Sequence, residues 1–336
     1  MTGRVDISLD QVRDLVSSLG EVVVAEPIDG GFFATALRLT FADGTRSVMK
    51  AVSADTSRLS RYEHGILGTE ARVFEMLADT EVPVPTVQLA DFTRTLVPAD
   101  VLVTSHLPGV VWNGLDIADA DAAALRRGLG AAMAAAHRVE GPHFGYPAAA
   151  SALAAPTWPA AFGLMVEAAL TDAETWGVAL PVDRVRRALH DHQIALTTVK
   201  RASVVHTDLW PGNVFVDADE MRIVGIIDTE RTVWGDPLID LVGAEPLSTE
   251  PPDADLLAGD GAAGGELAAI LGSPAGEARL NLCRMYMALL YVTEVTIRGY
   301  DGEFALSYES AGRANLEIAL ARLEELAPGN GSRCTA

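Results

Sequence analysis

Two short β-rich runs, Val204-Val205 and Val214-Phe215-Val216, bracket the polar loop His206-Thr207-Asp208-Leu209-Trp210-Pro211-Gly212-Asn213. A third β-rich run, Met221 to Ile227, delivers Asp228 at its tip, fifteen residues after Asn213. The pattern predicts a hairpin with Asp208, Asn213 and Asp228 converging at one end. A carboxylate beside an attacking hydroxyl, with two oxygen ligands for Mg²⁺, is what phosphoryl transfer requires, because positioning and charge neutralisation supply nearly all of that catalysis. Singly, an Asp or Asn in a turn usually just satisfies local backbone groups. Their ordered coincidence favours the chemical reading.

The loop, Asp228 and the later run Gly235-Asp236-Pro237-Leu238-Ile239-Asp240-Leu241 together resemble the aminoglycoside phosphotransferase family, small-molecule kinases with a protein-kinase-like fold. The resemblance covers most of the chain. It implies an α+β, bilobal protein-kinase-like fold, with an antiparallel-sheet small lobe and a mainly helical large lobe. It also implies that Asp208 is the catalytic base or hydroxyl-orienting residue and that Asn213 and Asp228 bind Mg²⁺. Asp208 and Asn213 are five apart, as in the kinase pattern H-R-D-L-x-x-x-N. His206 reads as a buried scaffold residue holding the loop, and Asp236 as a brace that does not touch substrate.

The amino-terminal half supplies the rest. Residues 22–54 hold three runs rich in Val, Leu, Phe and Thr, broken at Asp29-Gly30-Gly31 and Asp43-Gly44, which predicts an antiparallel meander. Gly30 and Gly31 would bring backbone N–H groups to the nucleotide phosphates without a Cβ in the way, though a Gly-Gly pair is more often an ordinary hairpin turn. Lys50, closing Ser47-Val48-Met49, occupies the position of the strand lysine that pairs the α- and β-phosphates. Glu70, on a helix with apolar positions at Val73, Phe74 and Leu77, is its expected partner, and Glu75 the competing one. Val101 to Gly109 reads as a strand entering a hinge, with Ser105, His106 and Leu107 holding the base. Backbone recognition there does not separate ATP from GTP.

The 336 residues, 49% hydrophobic and 21% charged, suffice for a large core and for one bilobal unit or two domains. The expected division is a nucleotide-binding lobe at 1–107 ending in the hinge, a catalytic and acceptor-binding lobe at 108–328, and a mobile tail at 329–336. The 46 acidic against 25 basic residues give a formal charge of −21, which argues against nucleic acid or an anionic membrane as partner and suits a cationic small-molecule acceptor. Cys283 and Cys334 suggest no disulfide framework. Met1 to Asp10 lacks a basic region followed by an apolar one, and no uncharged apolar run of about 18 residues occurs, so the cytoplasm is the expected location.

Helices are predicted at Ser8 to Leu19, Ile117 to Arg138, Pro181 to Lys200 (with Val182, Val185, Leu189 and Ile194 near one face), Gly276 to Arg298 and Gly302 to Leu326. His137 reads as packing. Glu245 to Gly272, rich in Pro, Gly, Asp and Ala with a short helix at Leu267 to Leu271, reads equally as a flexible surface loop or a lid. Tyr291, Glu294 and Arg298 recur at helical spacing and could face the acceptor, although such a stripe is more often core. Glu230 and the acids of 245–260 are candidates to hold an ammonium group.

The expectation is therefore an ATP- and Mg²⁺-dependent O-phosphotransferase acting on a small molecule, an antibiotic first and a fructosamine, homoserine or choline second. A protein kinase fits poorly: Asp228 and Asp236 are only eight positions apart, leaving no room for an activation segment, and Thr207 stands where the activation-loop-binding arginine would be. A catalytically dead nucleotide-binding module would normally lack one of the key residues, and none is missing.

Overall fold

The computed structural model describes residues 3–28 and 34–328. Gly30, Gly31, the tail at 329–336 and Cys334 lie outside the described residues. After helix α1 (Leu9–Leu15), which starts on a Ser8–Gln11 capping box, the chain enters β1 (Val22–Pro27), β2 (Thr35–Phe41) and β3 (Arg46–Ser53). Helix α2 (Ile66–Leu77) follows, then β4 (Val87–Asp91) and β5 (Ala99–Ser105). These strands form one antiparallel sheet in the order β1-β2-β3-β5-β4. The β2–β3 register pairs Ala36 with Lys50, and β3–β5 pairs Lys50 with Leu102, so the lysine sits mid-sheet rather than at a frayed end. One face packs Val12, Val16, Leu39, Met49, Val101 and Val103 together; the other meets α2 through Val52, Leu67, Phe74 and Leu102. That alternation is the period-2 pattern of a sheet covered on both sides.

Beyond the hinge, β6 (Val110–Val111) joins a small sheet, α3 (Asp119–His137) and α4 (Trp158–Thr175) build the helical floor, and between them β7 (Phe144–Gly145) pairs antiparallel with β8 (Ala154–Ala155). The predicted helix at Pro181 to Lys200 is two pieces, α5 (Val182–Asp191) and α6 (Gln193–Leu196). Their break falls at His192, whose buried ring bonds Leu323 O at 2.8 Å. The break rotates Ile194 off the expected face, leaving it 81% exposed.

The predicted hairpin is present. β9 (Ser203–Val205) enters the loop, β10 (Val214–Asp217) leaves it and pairs antiparallel with β11 (Arg222–Ile226), while β12 (Val233–Gly235) returns to β9. Helix α7 (Leu238–Ala244) follows, then α8 (Ala254–Ala262), α9 (Leu267–Leu271), α10 (Gly276–Arg298) and α11 (Gly302–Leu326).

Residues 245–253 form an irregular segment, but most of the rest of the 245–272 stretch is helical. Helix α8 packs on α3 with its backbone in contact: a Cβ at Gly130 would lie 2.0 Å from Leu256 O, and one at Gly259 2.0 Å from Arg127 O. Small residues on both helices permit that approach, and the composition that looked loop-like is the composition of a tight crossing. No helix among the described residues is long and apolar enough to cross a membrane.

Candidate active site

Asp208 follows β9 on a loop whose preceding residue, Thr207, has φ 70, and Asp228, two residues past the end of β11, has φ 61. Positive φ is costly for a β-branched residue and persists only where the surroundings over-determine it. At Thr207 they do: its N–H donates to Asp240 Oδ1 at 2.7 Å, and its hydroxyl donates to Arg231 O at 3.1 Å. The other Asp240 oxygen lies 2.8 Å from His137 Nε2, with both side chains buried. His137 is thus packed as expected and also anchors the carboxylate that holds the loop. Helix α7 can come this close because Gly243 has no side chain; a Cβ there would lie 2.3 Å from Thr207 O.

His206 has both ring nitrogens in use. Nε2 lies 2.9 Å from Ile227 O, so it carries the proton, and Nδ1 accepts from Asp208 N at 3.3 Å. It ties the loop to the residue after β11, with both ring nitrogens committed to backbone partners. Asp236 does not brace the loop directly: it takes a two-pronged bond from Arg279 of α10 at 2.7 and 2.8 Å and caps Leu238 N. The direct brace is Asp240, which shares the same motif.

Asn213 Nδ2 donates to Asp208 O at 2.9 Å and to Asp208 Oδ2 at 3.2 Å, which leaves its Oδ1 facing away from Asp208. Asn213 Oδ1 and the Asp228 carboxylate are hard oxygen donors, the kind Mg²⁺ takes. The Lys50 ammonium bonds Glu70 Oε1 at 2.6 Å and also bonds Asp228 Oδ1. Glu75 is not the partner. Burial works against the charge on Lys50, and the two carboxylates outweigh it, holding the ammonium firmly protonated. Burial also lifts the Asp208 carboxyl above the usual carboxylate range, opposed by Arg231 and His206.

At the hinge, Ser105 N donates to Thr86 O at 2.9 Å and His106 N to Arg46 O at 3.3 Å, so both amides serve the sheet and are not available to a base. No backbone carbonyl among the described residues takes up the Leu107 N–H. The Leu107 side chain lies over Gly225 of β11.

Tyr291 and Glu294 are buried, and Glu294 belongs to a network that bare sequence spacing did not reveal. Arg231 bonds both Glu294 and the Tyr62 hydroxyl, the latter at 2.6 Å, and Tyr62 donates to Glu294 at 2.6 Å. Arg298 pairs with Glu63. Tyr62 and Glu63 precede α2 and Glu294 and Arg298 lie on α10, so the segment leading to Glu70 is bolted to the helical floor. Arg58 adds bonds to Ile297 O at 2.9 Å and Thr296 O at 3.0 Å.

Of the candidate ammonium ligands, Glu230 lies within the site, whereas two acids of 245–260 serve the contact between α3 and α8. Glu230 sits among Lys50, Asp228, Glu70 and Arg298, and burial foremost, with Asp228 and Glu70 adding to it against Lys50, pushes its carboxyl up to about 8. Asp253 caps α8 and pairs with Arg126, and Asp255 pairs with Arg127 at 2.7 Å, both on the α3–α8 face.

Solved structures with this fold include a protein described as a fructosamine-3-kinase from Thermobifida fusca, at TM-score 0.65 and 20% identity over 94% of this chain and 99% of that one. A thermostable mutant of the aminoglycoside phosphotransferase APH(4)-Ia, in ternary complex with AMP-PNP and hygromycin B, aligns at TM-score 0.63 and 16% identity over 92% and 97%. The macrolide 2′-phosphotransferase MphH from Brachybacterium faecium aligns at TM-score 0.54 and 20% identity over 92% and 97%. At these identities the likeness establishes the kinase-like α+β fold. The family model of the APH phosphotransferase enzymes matches residues 24–279, three quarters of the sequence and all of the hairpin that carries Asp208, Asn213 and Asp228, and the chain belongs to that phosphotransferase family.

Proposed function

We propose that this phosphotransferase uses ATP and Mg²⁺ to phosphorylate a hydroxyl of a small molecule, an antibiotic or related natural product being the leading acceptor. The observation that carries the reading is the meeting of Asp208, Asn213, Asp228 and Lys50 from three separate chain segments around one point. In this reading Asn213 Oδ1 and Asp228 hold Mg²⁺, which when bound neutralises charge on the phosphate oxygens. Lys50, steadied by Glu70, holds the α- and β-phosphates. Leu107 N–H is the hinge donor to the base, and the sequence-based assignment of Gly30 and Gly31 to the phosphates is part of the same proposal.

Asp208 Oδ1 accepts the hydrogen bond of the acceptor hydroxyl and aims its oxygen at the γ-phosphorus, while Asn213 Nδ2 fixes the other carboxylate oxygen. A bond forms from the acceptor oxygen to phosphorus, the bond to the β-phosphate oxygen breaks, ADP leaves, and the hydroxyl proton passes to Asp208 late in the step. A loose transition state makes little demand on a strong base, so orientation dominates. The Asp208-Leu209-Trp210 step and the likeness to the fructosamine-3-kinase fold support a second reading, a metabolic small-molecule kinase.

The test is ADP release with ATP and Mg²⁺ across aminoglycosides, macrolides, tuberactinomycin-type peptides, nucleoside antibiotics, fructosamines and amino alcohols. Turnover of one class, abolished in Asp208→Asn, is the expected result. Turnover confined to fructosamines or amino alcohols selects the metabolic reading.

A further inference from the structure

Four polar side chains share the neighbourhood of Asp208: Arg231, Glu294, Tyr291 and Tyr308 all lie within electrostatic reach of one another and of its carboxylate. Arg231 makes its ion pair with Glu294 and not with Asp208. Tyr291 comes from α10 and Tyr308 from α11, and their rings meet edge-on at 5.4 Å, so each phenol steadies the other.

Several donors in this group are unused. Tyr291 is 3% exposed and Tyr308 half-buried, yet neither hydroxyl has a hydrogen-bond partner among the described residues, and neither is sealed from solvent. Arg231 spends Nη2 on Glu294 and the Tyr62 hydroxyl, while its Nε and Nη1 make no hydrogen bond among the described residues. Polar groups this deep in a fold are nearly always paired, so a set of unpaired ones beside a reacting carboxylate marks where a ligand supplies the partners.

The charges select the ligand's chemistry. Arg231 repels an ammonium group brought to this point, and the carboxylates of Asp208 and Glu294 repel an anion. A neutral oxygen satisfies both conditions, because a phenol hydroxyl donates and accepts and a guanidinium donates. Glu230, which makes no ion pair among the described residues, belongs to a different set: its charged neighbours are Lys50, Asp228, Glu70 and Arg298.

We propose that the acceptor is a polyhydroxylated molecule, a sugar, cyclitol or open-chain polyol, whose second oxygen bonds the Tyr291 and Tyr308 hydroxyls while its reacting hydroxyl meets Asp208. The proposal rests on the phosphotransferase reading above and narrows its acceptor, removing single-hydroxyl alcohols of the homoserine and choline type. A site built to bond a substrate hydroxyl discriminates against the analogue that lacks it, because its own polar groups are then left unpaired.

The experiment measures ADP release by the full chain with ATP and Mg²⁺ on glycosides, cyclitols and open-chain polyols, each beside its analogues lacking one hydroxyl, and on amino alcohols with a single hydroxyl. Wild type is compared with Tyr291→Phe and Tyr308→Phe, and MgADP binding is followed separately. The expected result is kcat/KM at least roughly tenfold higher on a polyol than on any single-hydroxyl alcohol. Tyr291→Phe should raise KM for that polyol roughly three- to tenfold with little change in kcat, and should leave unchanged the KM of the analogue lacking the bonded oxygen. A merely structural role would raise both alike. Preference for a single-hydroxyl alcohol, or an unchanged ratio between polyol and analogues in both Phe variants, overturns the proposal and leaves the kinase reading standing. MgADP binding without turnover of any polyol also overturns it. Failure to bind MgADP overturns both.

Discussion

Lys50 Nζ lies 2.6 Å from Glu70 Oε1, joining the middle of the five-stranded sheet to the helix behind it. Glu70 is 1% exposed, and its second oxygen has no hydrogen-bond partner among the described residues, so its charge depends on that lysine. Lys50→Met should abolish turnover and destabilise the fold by about 3 kcal/mol, the cost of leaving a buried carboxylate unpaired. The double variant Lys50→Met/Glu70→Gln should recover much of that stability in urea denaturation but none of the turnover.

Asp240 carries the catalytic loop through a single oxygen on Thr207 N. Asp240→Ala should lower kcat roughly a hundredfold with little change in nucleotide affinity, because it frees the backbone beside Asp208 without touching the phosphates. Steady-state kinetics beside an ADP-binding titration would separate the two effects.

Removing the Tyr62 hydroxyl should weaken the bolt between the segment before α2 and α10. That hydroxyl serves Glu294 and Arg231 at once in a buried site. Tyr62→Phe is expected to cost about 2 kcal/mol, read as a lowered denaturation midpoint at unchanged slope.

Asp260 supplies a pH signature. It is 0% exposed, accepts from Leu267 N through Oδ2 at 2.9 Å, and its Oδ1 has no hydrogen-bond partner among the described residues. Burial raises its carboxyl above the unfolded value of 3.8, opposed by the Leu267 bond and by His137. The native state therefore binds a proton more tightly than the unfolded chain, and stability falls as pH rises from about 4 through the raised native value. Asp260→Asn should stabilise the protein by about 1 kcal/mol at pH 7, and the gain should vanish below about pH 4. Thermal melts of both proteins across that range would check it.

The hairpin and its three polar residues were legible because alternation and loop chemistry are local: β9, the loop, β10 and β11 occupy one short stretch. The small-lobe meander and the helices α3, α10 and α11 followed from the same local signals. Helix α4 went unseen because Trp158, Phe162, Met165, Val166 and Leu170 bury it on several sides, leaving no polar stripe to reveal a period. Helix α8 was masked by the glycines that let it touch α3. Asp240 was in view within its motif, but its bond to Thr207 spans 33 residues. The Tyr62–Glu294 and Arg298–Glu63 contacts span more than 230, and no spacing rule reaches that far.

The most direct test of the central claim is phosphorus NMR of the product formed from ATP, Mg²⁺ and the best acceptor of the panel, run with wild type and Asp208→Asn. The account predicts a phosphate-ester resonance on the acceptor, formed with ADP one for one, and a rate lower by about 10²–10⁴ in the variant at similar nucleotide affinity. Ester formation at the wild-type rate in Asp208→Asn, or inorganic phosphate as the sole product from every acceptor, would contradict it.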